Sequence, residues 1–155
     1  MSKSMARVRR ALEEAGLAAD IHALGEARTA AQAATVAGCA IDQIAKSIIF
    51  AGLETGRAVL FLTAGGNQVE PARASAVAGE ALGKASADLI RAQTGFAIGG
   101  VAPVGHLTPI RAYLDPRLME FDVIWAAAGT PQHIFPITPA DLHRLTGAEL
   151  ADFTA

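Results

Sequence analysis

Gln43-Ile-Ala-Lys46-Ser-Ile-Ile-Phe50, with the residues behind it as far as Thr63, is the stretch that decides the fold. Ser47–Ala51 and Ala58–Thr63 are short apolar runs bounded by the turn-prone segment Gly52–Gly56, the pattern of two strands joined as a hairpin. Lys46 stands at the mouth of the first strand, with Ile44 and Ala45 before it and Ile48, Ile49 and Phe50 after it. An ammonium there can project into a partly dry cleft, where it would bind a phosphate or shift its titration. A lysine whose stem merely snorkels past a strand start has the same local sequence.

Upstream of the hairpin, Ser4 to Ala15 carries Val8, Leu12 and Ala15 at helical spacing, with Gly16 as its stop. Ala19–Leu24 reads as a short strand. Thr29-Ala-Ala-Gln32 matches a capping box for an Ala-rich helix that ends at Gly38, and Asp42 is placed to cap a further turn leading to Lys46. Downstream, Pro71 suits the first position of a helix running towards Val77, and Ser86 caps another through Leu89 and Ile90 to Gly95. Strands are predicted at Phe96–Ile98, Arg111–Leu114, Val123–Ala127 and Ile134–Ile137, and Thr138-Pro139 opens a last helix to about Leu145. Helices and strands mix without regular alternation, and neighbouring strands lie close enough to form hairpins. The prediction is α+β, a largely antiparallel or mixed sheet flanked by helices, and not a doubly wound parallel sheet.

The 155 residues fit one domain, residues 1–155, with one core. At 52% hydrophobic, with charge spread in both signs, the composition is that of a folded globular protein. The amino-terminal MSKSMARVRR has no apolar run behind its basic residues, and no stretch approaches the roughly 18 apolar residues of a membrane span. A soluble, cytoplasmic protein is expected. Cys39 is the only cysteine, which excludes an intrachain disulfide and a thiolate zinc cluster; between Gly38 and Ala40 it reads as a buried, inert thiol. A net charge of −2 argues against coating nucleic acid by electrostatics alone. Contact with RNA would be confined to a short basic patch, for which Arg7, Arg9 and Arg10 are candidates beside their simpler role as a solvated helix face.

Chemistry-bearing residues are few. Gly99-Gly100-Val101-Ala102-Pro103-Val104-Gly105-His106 is a stiff loop whose amides could face a ligand carbonyl without obstruction by a Cβ, so a methyl added at Gly100 is expected to block that approach. A structural turn would read the same. The phosphate-loop and dinucleotide spacings are both absent. His22, His106, His133 and His143 are dispersed, so no metal or other cofactor is expected. No G-x-S-x-G elbow occurs, and neither Ser47 nor Ser86 has a base nearby in sequence. Asp115 and Asp122 flank a turn at Pro116, where capping is the expected role.

Together these segments resemble the YbaK/ProX family of aminoacyl-tRNA deacylases, related to the editing domain inserted in bacterial prolyl-tRNA synthetases. The likeness is carried by Thr29–Ala34, Gln43–Phe50, Thr94–His106, Tyr113-Leu-Asp115 and Ala127–Thr130, and spans about residues 4 to 150. It implies a curved α+β sheet with a cleft beside Lys46, that lysine lying near the phosphate of a 3′-terminal nucleotide. The family's G-x-x-x-P loop corresponds to Gly99 through Pro103 around the ester carbonyl. On this reading Lys46, Gly99 and Gly100 carry the chemistry. Thr29, Val101, Ala102, Pro103, Gly105, His106, Gly129 and His133 shape the substrate pocket. The implied reaction is hydrolysis of a mischarged amino acid from the tRNA acceptor end, without a metal or a protein nucleophile, in association with an aminoacyl-tRNA synthetase. Two other readings use the same residues: a non-catalytic module that holds a nucleotide or tRNA end, and a hydrolase of small-molecule esters.

Overall fold

The structure, a computed structural model, describes residues 2–155. In chain order its elements are α1 (Lys3–Glu14), β1 (His22–Ala23), α2 (Ala30–Ala37), β2 (Ile44–Gly52), β3 (Ala58–Ala64), α3 (Pro71–Ala78) and β4 (Leu82–Lys84). There follow α4 (Ala87–Thr94), β5 (Arg111–Leu114), β6 (Ile124–Ala127), β7 (His133–Ile137), α5 (Pro139–Thr146) and β8 (Glu149–Leu150). The strands form one sheet in the order β1-β7-β6-β2-β3-β5-β8, with β4 also paired to β2. β2 and β3 are the predicted antiparallel hairpin, in register from Ala45↔Ala64 to Ala51↔Ala58. β2–β6, β3–β5 and β5–β8 run parallel, so the sheet is mixed and the class is α+β.

The helix ends follow from local chemistry. Thr29 Oγ1 accepts from the Gln32 amide (3.1 Å) while Gln32 Oε1 accepts from the Thr29 amide (3.2 Å), completing the capping box of α2. Ser86 and Thr138 cap α4 and α5 by accepting from the Leu89 and Asp141 amides, and Pro71 and Pro139 occupy first-turn positions where the missing N–H costs nothing. Gly38 ends α2 at φ +73°, in left-handed backbone that favours glycine.

All seven residues of β3 are buried, because both faces of the sheet are covered there. Leu60, Leu62 and Ala64 pack with Val8 and Leu12 of α1, Ile90 of α4 and Leu142 of α5. Val59 and Phe61 face Ala74 and Ala78 of α3, Tyr113 and Phe153. A smaller cluster sets Ala33 and Ala34 of α2 against Ile44 and Ile134. It fixes α2 beside the start of β2, next to Lys46.

Several expectations are corrected. Phe96–Ile98 is not a strand: the Phe96 amide donates to Thr94 Oγ1 (3.1 Å), a local bond that turns the chain away from any partner. In Ala19–Leu24 only His22 and Ala23 pair, with β7. β2 begins at Ile44, so Lys46 lies inside the strand. Asp42 sits within the 3-10 turn Ile41–Gln43 rather than capping it, and its carboxylate accepts from the Gly66 amide (2.8 Å) and Arg117 Nε (2.9 Å). Arg7 is not a surface cation, since its guanidinium donates to Gly105 O and Gly95 O and lies over the Phe96 ring, 4.7 Å from the centroid. β4 and β8, three and two residues long, carry no alternation by which sequence would reveal them.

The carboxy-terminal tail closes the second face of the sheet through Phe153, fully buried with its ring 4.9 Å from that of Phe61. Phe153→Ala is expected to destabilise the protein by about 3–5 kcal/mol. A lowered urea midpoint with an unchanged m-value would show this; an unchanged midpoint would mean the tail is dispensable.

Candidate functional site

β2 changes partners along one edge. On the side away from β3 it pairs with β6 only at Ile44 and Ala45, and with β4 only from Phe50 to Gly52. Lys46 to Ile49 therefore have no neighbour on that edge. The Gly52 amide bonds Arg57 O (2.9 Å) and the Leu53 amide bonds Ala81 O (2.9 Å), which assigns even-numbered residues of β2 to the β3 side and odd-numbered ones to the open side. Ser47 thus directs its backbone N–H and C=O groups into a gap within the sheet. The Ser47 hydroxyl is also buried there and has no hydrogen-bond partner among the described residues.

The glycine loop covers this gap. Gly99 has φ +87°, a conformation that glycine adopts freely. A Cβ built on Gly100 would lie 2.7–2.9 Å from backbone atoms of Thr130 and Pro131, so the absence of a side chain lets the loop dock on the β6–β7 turn. The methyl expected to obstruct a ligand would instead meet protein. The Gly100 amide is engaged as well, donating to Ala97 O (3.0 Å). The amides of Gly99 and Val101 have no acceptor among the described residues, and both residues line the cavity beneath.

That cavity, about 320 Å³, brings together Lys46, Thr29, Gly99, Val101 and His133 from the residues singled out by sequence. To these it adds Arg28, Ser47, Trp125 and Thr130. Its apolar end is made by Ala30, Ala33, Ile44 and Ile134. Two cations and no carboxylate line it, a charge arrangement suited to an anion. Lys46 Nζ donates to Asn67 O (2.7 Å). Burial pushes the Lys46 ammonium below the ordinary lysine range, opposed by the carboxylates of Asp42 and Asp115. His133 Nδ1 lies 2.6 Å from Thr130 Oγ1, which fixes the imidazole ring at the wall. A second cavity of about 510 Å³ shares Ser47, Ile48, Gly99 and Val101 with the first and continues over Phe50, Ile98 and Lys84.

Other predicted site residues lie elsewhere. Pro103, Gly105 and His106 line a separate cavity against α1 and α5. His106 Nε2 faces Ala102 O at 2.7 Å; a carbonyl only accepts, so this nitrogen carries the proton, and burial holds the imidazole below its ordinary range. Ala102 is fully buried in the core. Gly129 (φ +93°) packs against the backbone of Ser4 and supports the Thr130 turn without lining the cavity. Asp115 caps the 3-10 turn Pro116–Glu120, as expected, by accepting from the Arg117 amide (3.0 Å). Sequence reasoning passed over Arg28, which adjoins Thr29, and weighed Ser47 only as a nucleophile, although it adjoins Lys46. Among the described residues no group of His, Cys, Asp or Glu side chains could hold a metal ion, and no helix is long and apolar enough to cross a membrane.

Residues 25–145 match the aminoacyl-tRNA editing domain. The uncharacterized protein YwhH of Bacillus subtilis (strain 168) is 32% identical over 114 residues, covering 74% of this chain and 72% of that one. A solved structure of a proposed trans-editing enzyme for prolyl tRNA synthetase superposes with a TM-score of 0.92 at 43% identity, over 100% of this chain and 99% of that chain. A structure from work on computational epitope backbone grafting onto scaffold proteins gives a TM-score of 0.92 at 42% identity, with the same coverage.

The loop docking yields a prediction. Gly100→Ala is expected to cost about 1–3 kcal/mol through overpacking and to shift the amide resonances of Thr130, Gln132 and His133. In Gly99→Ala the new methyl reaches only the Pro131 ring, at 3.8 Å, so the cost comes from φ and the shifts should stay within the glycine loop. Equal, local shifts in both variants would contradict the docking of Gly100 on the turn.

Proposed function

The chain belongs to the aminoacyl-tRNA editing domain family, and from that premise we propose that it hydrolyses the ester bond of mischarged aminoacyl-tRNA in trans, releasing free amino acid and tRNA. The observation that carries this reading is the cavity itself. Two cations, free backbone amides and an apolar end meet at the open edge of β2, with no acid, metal site or activated nucleophile among the lining residues. An aminoacylated 3′ end has matching parts: a phosphate, an ester carbonyl and a side chain.

Lys46, with Arg28 across the cavity, anchors the phosphate of the terminal nucleotide and fixes the ester against the loop. Water, assisted by a ribose hydroxyl of the tRNA, adds to the ester carbon. Charge then develops on the carbonyl oxygen, where the Gly99 and Val101 amides stabilise it. The intermediate collapses by expelling the ribose oxygen, which takes a proton; the amino acid leaves as its carboxylate. The Ser47 carbonyl at the open edge suits the α-ammonium group. Thr29 and His133 bound the pocket, while Pro103, Gly105 and His106 stiffen the loop from behind. The whole chain acts as one editing domain in the cytoplasm, serving an aminoacyl-tRNA synthetase.

Incubation with a panel of mischarged tRNAs tests the proposal. Hydrolysis of at least one, insensitive to prolonged chelation, is the expected result. Lys46→Ala should abolish it with little change in thermal midpoint, while Lys84→Ala should leave turnover largely intact. Tight binding of tRNA without hydrolysis would indicate a binding module. Turnover of acyl esters lacking a tRNA body would indicate a small-ester hydrolase, and full activity of Lys46→Ala would remove the lysine from the mechanism.

A further inference from the structure

Behind Lys46 lies a set of polar groups that neither capping nor the proposed chemistry uses up. Asp115 follows β5 and is only 3% exposed. As the cap of the turn Pro116–Glu120 it needs one bond, from the Arg117 amide to Oδ1. Its second oxygen accepts two more N–H groups, the Ala64 amide (3.1 Å) and Asn67 Nδ2 (2.9 Å). Asn67 is tied down a second time by its own amide, which donates to Ala64 O (2.9 Å). The backbone carbonyl of this doubly held residue takes the Lys46 ammonium at 2.7 Å.

Charge points the same way as geometry. Asp42, the carboxylate that favours the charge on Lys46 most, is itself paired with Arg117 Nε at 2.9 Å, and Asp115 adds to it. Among the described residues Asp115 has no cation within ion-pairing distance, only N–H donors, so its negative potential is not cancelled locally. The charged and titratable groups arranged around Lys46 are Asp42 from the 3-10 turn before β2, Asp115 after β5, Arg117 behind them, and Arg28 and His133 across the cavity.

We propose that Asp115 is a positioning residue: through Asn67 it fixes the Lys46 ammonium at the cavity wall, with its own carboxylate set behind that ammonium. This rests on the reading of Lys46 as the phosphate anchor, but its physical content can be measured without any tRNA. Burial works against the charge on Lys46, and Asp42 and Asp115 work for it. Removing the Asp115 charge therefore lowers the pH at which Lys46 becomes a neutral, nucleophilic amine.

The experiment is competitive acetylation with acetic anhydride across the neutral and alkaline range, read at each lysine by mass spectrometry. In Asp115→Asn the half-labelling pH of Lys46 should fall, while Lys3 and Lys84 stay as in the parent protein. Should Asp115→Asn not fold, Asn67→Ala carries the test of the link: it leaves the carboxylate charge in place but frees the turn that holds Lys46, so the Lys46 labelling curve should rise in rate while Lys3 and Lys84 stay as in the parent protein. A parallel downward move of the alkaline limb of kcat/KM, after subtraction of spontaneous ester hydrolysis, is expected with a deacylase substrate. If the Lys46 labelling curve is unchanged in the folded variants, Asp115 is a structural cap only and the proposal is overturned. A shifted labelling curve in a protein that deacylates no tRNA would keep the positioning role and refute the proposed activity.

Discussion

The change of partner along β2 is the constraint to which the rest of the site answers. β6 is bonded to it up to Ala45 and β4 takes over at Phe50, so a central strand has an unpaired edge in the middle of the molecule. Buried backbone polar groups must be satisfied or solvated. Here the gap stays open as a cavity, roofed by a loop whose own Gly99 and Val101 amides are free. The loop can lie so close only because Gly100 presents no side chain to the Thr130–Pro131 backbone. A binding cleft thus arises from an interrupted sheet, with rigid strands on both sides to hold its donors in place.

The same interruption explains the placing of charge. Lys46 emerges where β6 has ended, at a strand position far enough inside to be half-buried and near enough to the gap to reach a ligand. An ammonium so placed loses hydration, and the turn Ala64–Asn67 supplies a carbonyl in return. Asp42 and Asp115 stand behind it and Arg28 across from it. The net effect is a cavity that presents positive charge forward and keeps its negative charges in the rear. Under the proposed function, selection among amino acids falls to the apolar end, where Ala30 and Ala33 of α2 border the cavity. One methylene there alters discrimination by only about 1–3 kcal/mol, so substrate choice depends on fine shape.

Much of this was legible in the chain because it is local chemistry. The capping box at Thr29 and Gln32, the caps Ser86 and Thr138, and the prolines at helix starts act within one turn of backbone and need no partner elsewhere. The β2–β3 hairpin is similarly local, and Lys46 stands out within it as the one charge in an apolar run. Resemblance between motif segments then assigned the family. Tertiary structure decided what depends on distant partners. β4 and β8 exist only because β2 and β5 offer them an edge, and Phe96–Ile98 fails as a strand because no edge is offered. His106 and His133 look alike as loop histidines. One turns inward to Ala102 and the other borders the cavity, since the sheet order sets β7 beside β6 and sends the end of the glycine loop back to α1. The sequence by itself determined the local elements and the lysine. The gap in the sheet, and the carboxylate aligned behind that lysine, required strands far apart in sequence to meet, because hydrogen-bond partners and buried charge are properties of the packed chain.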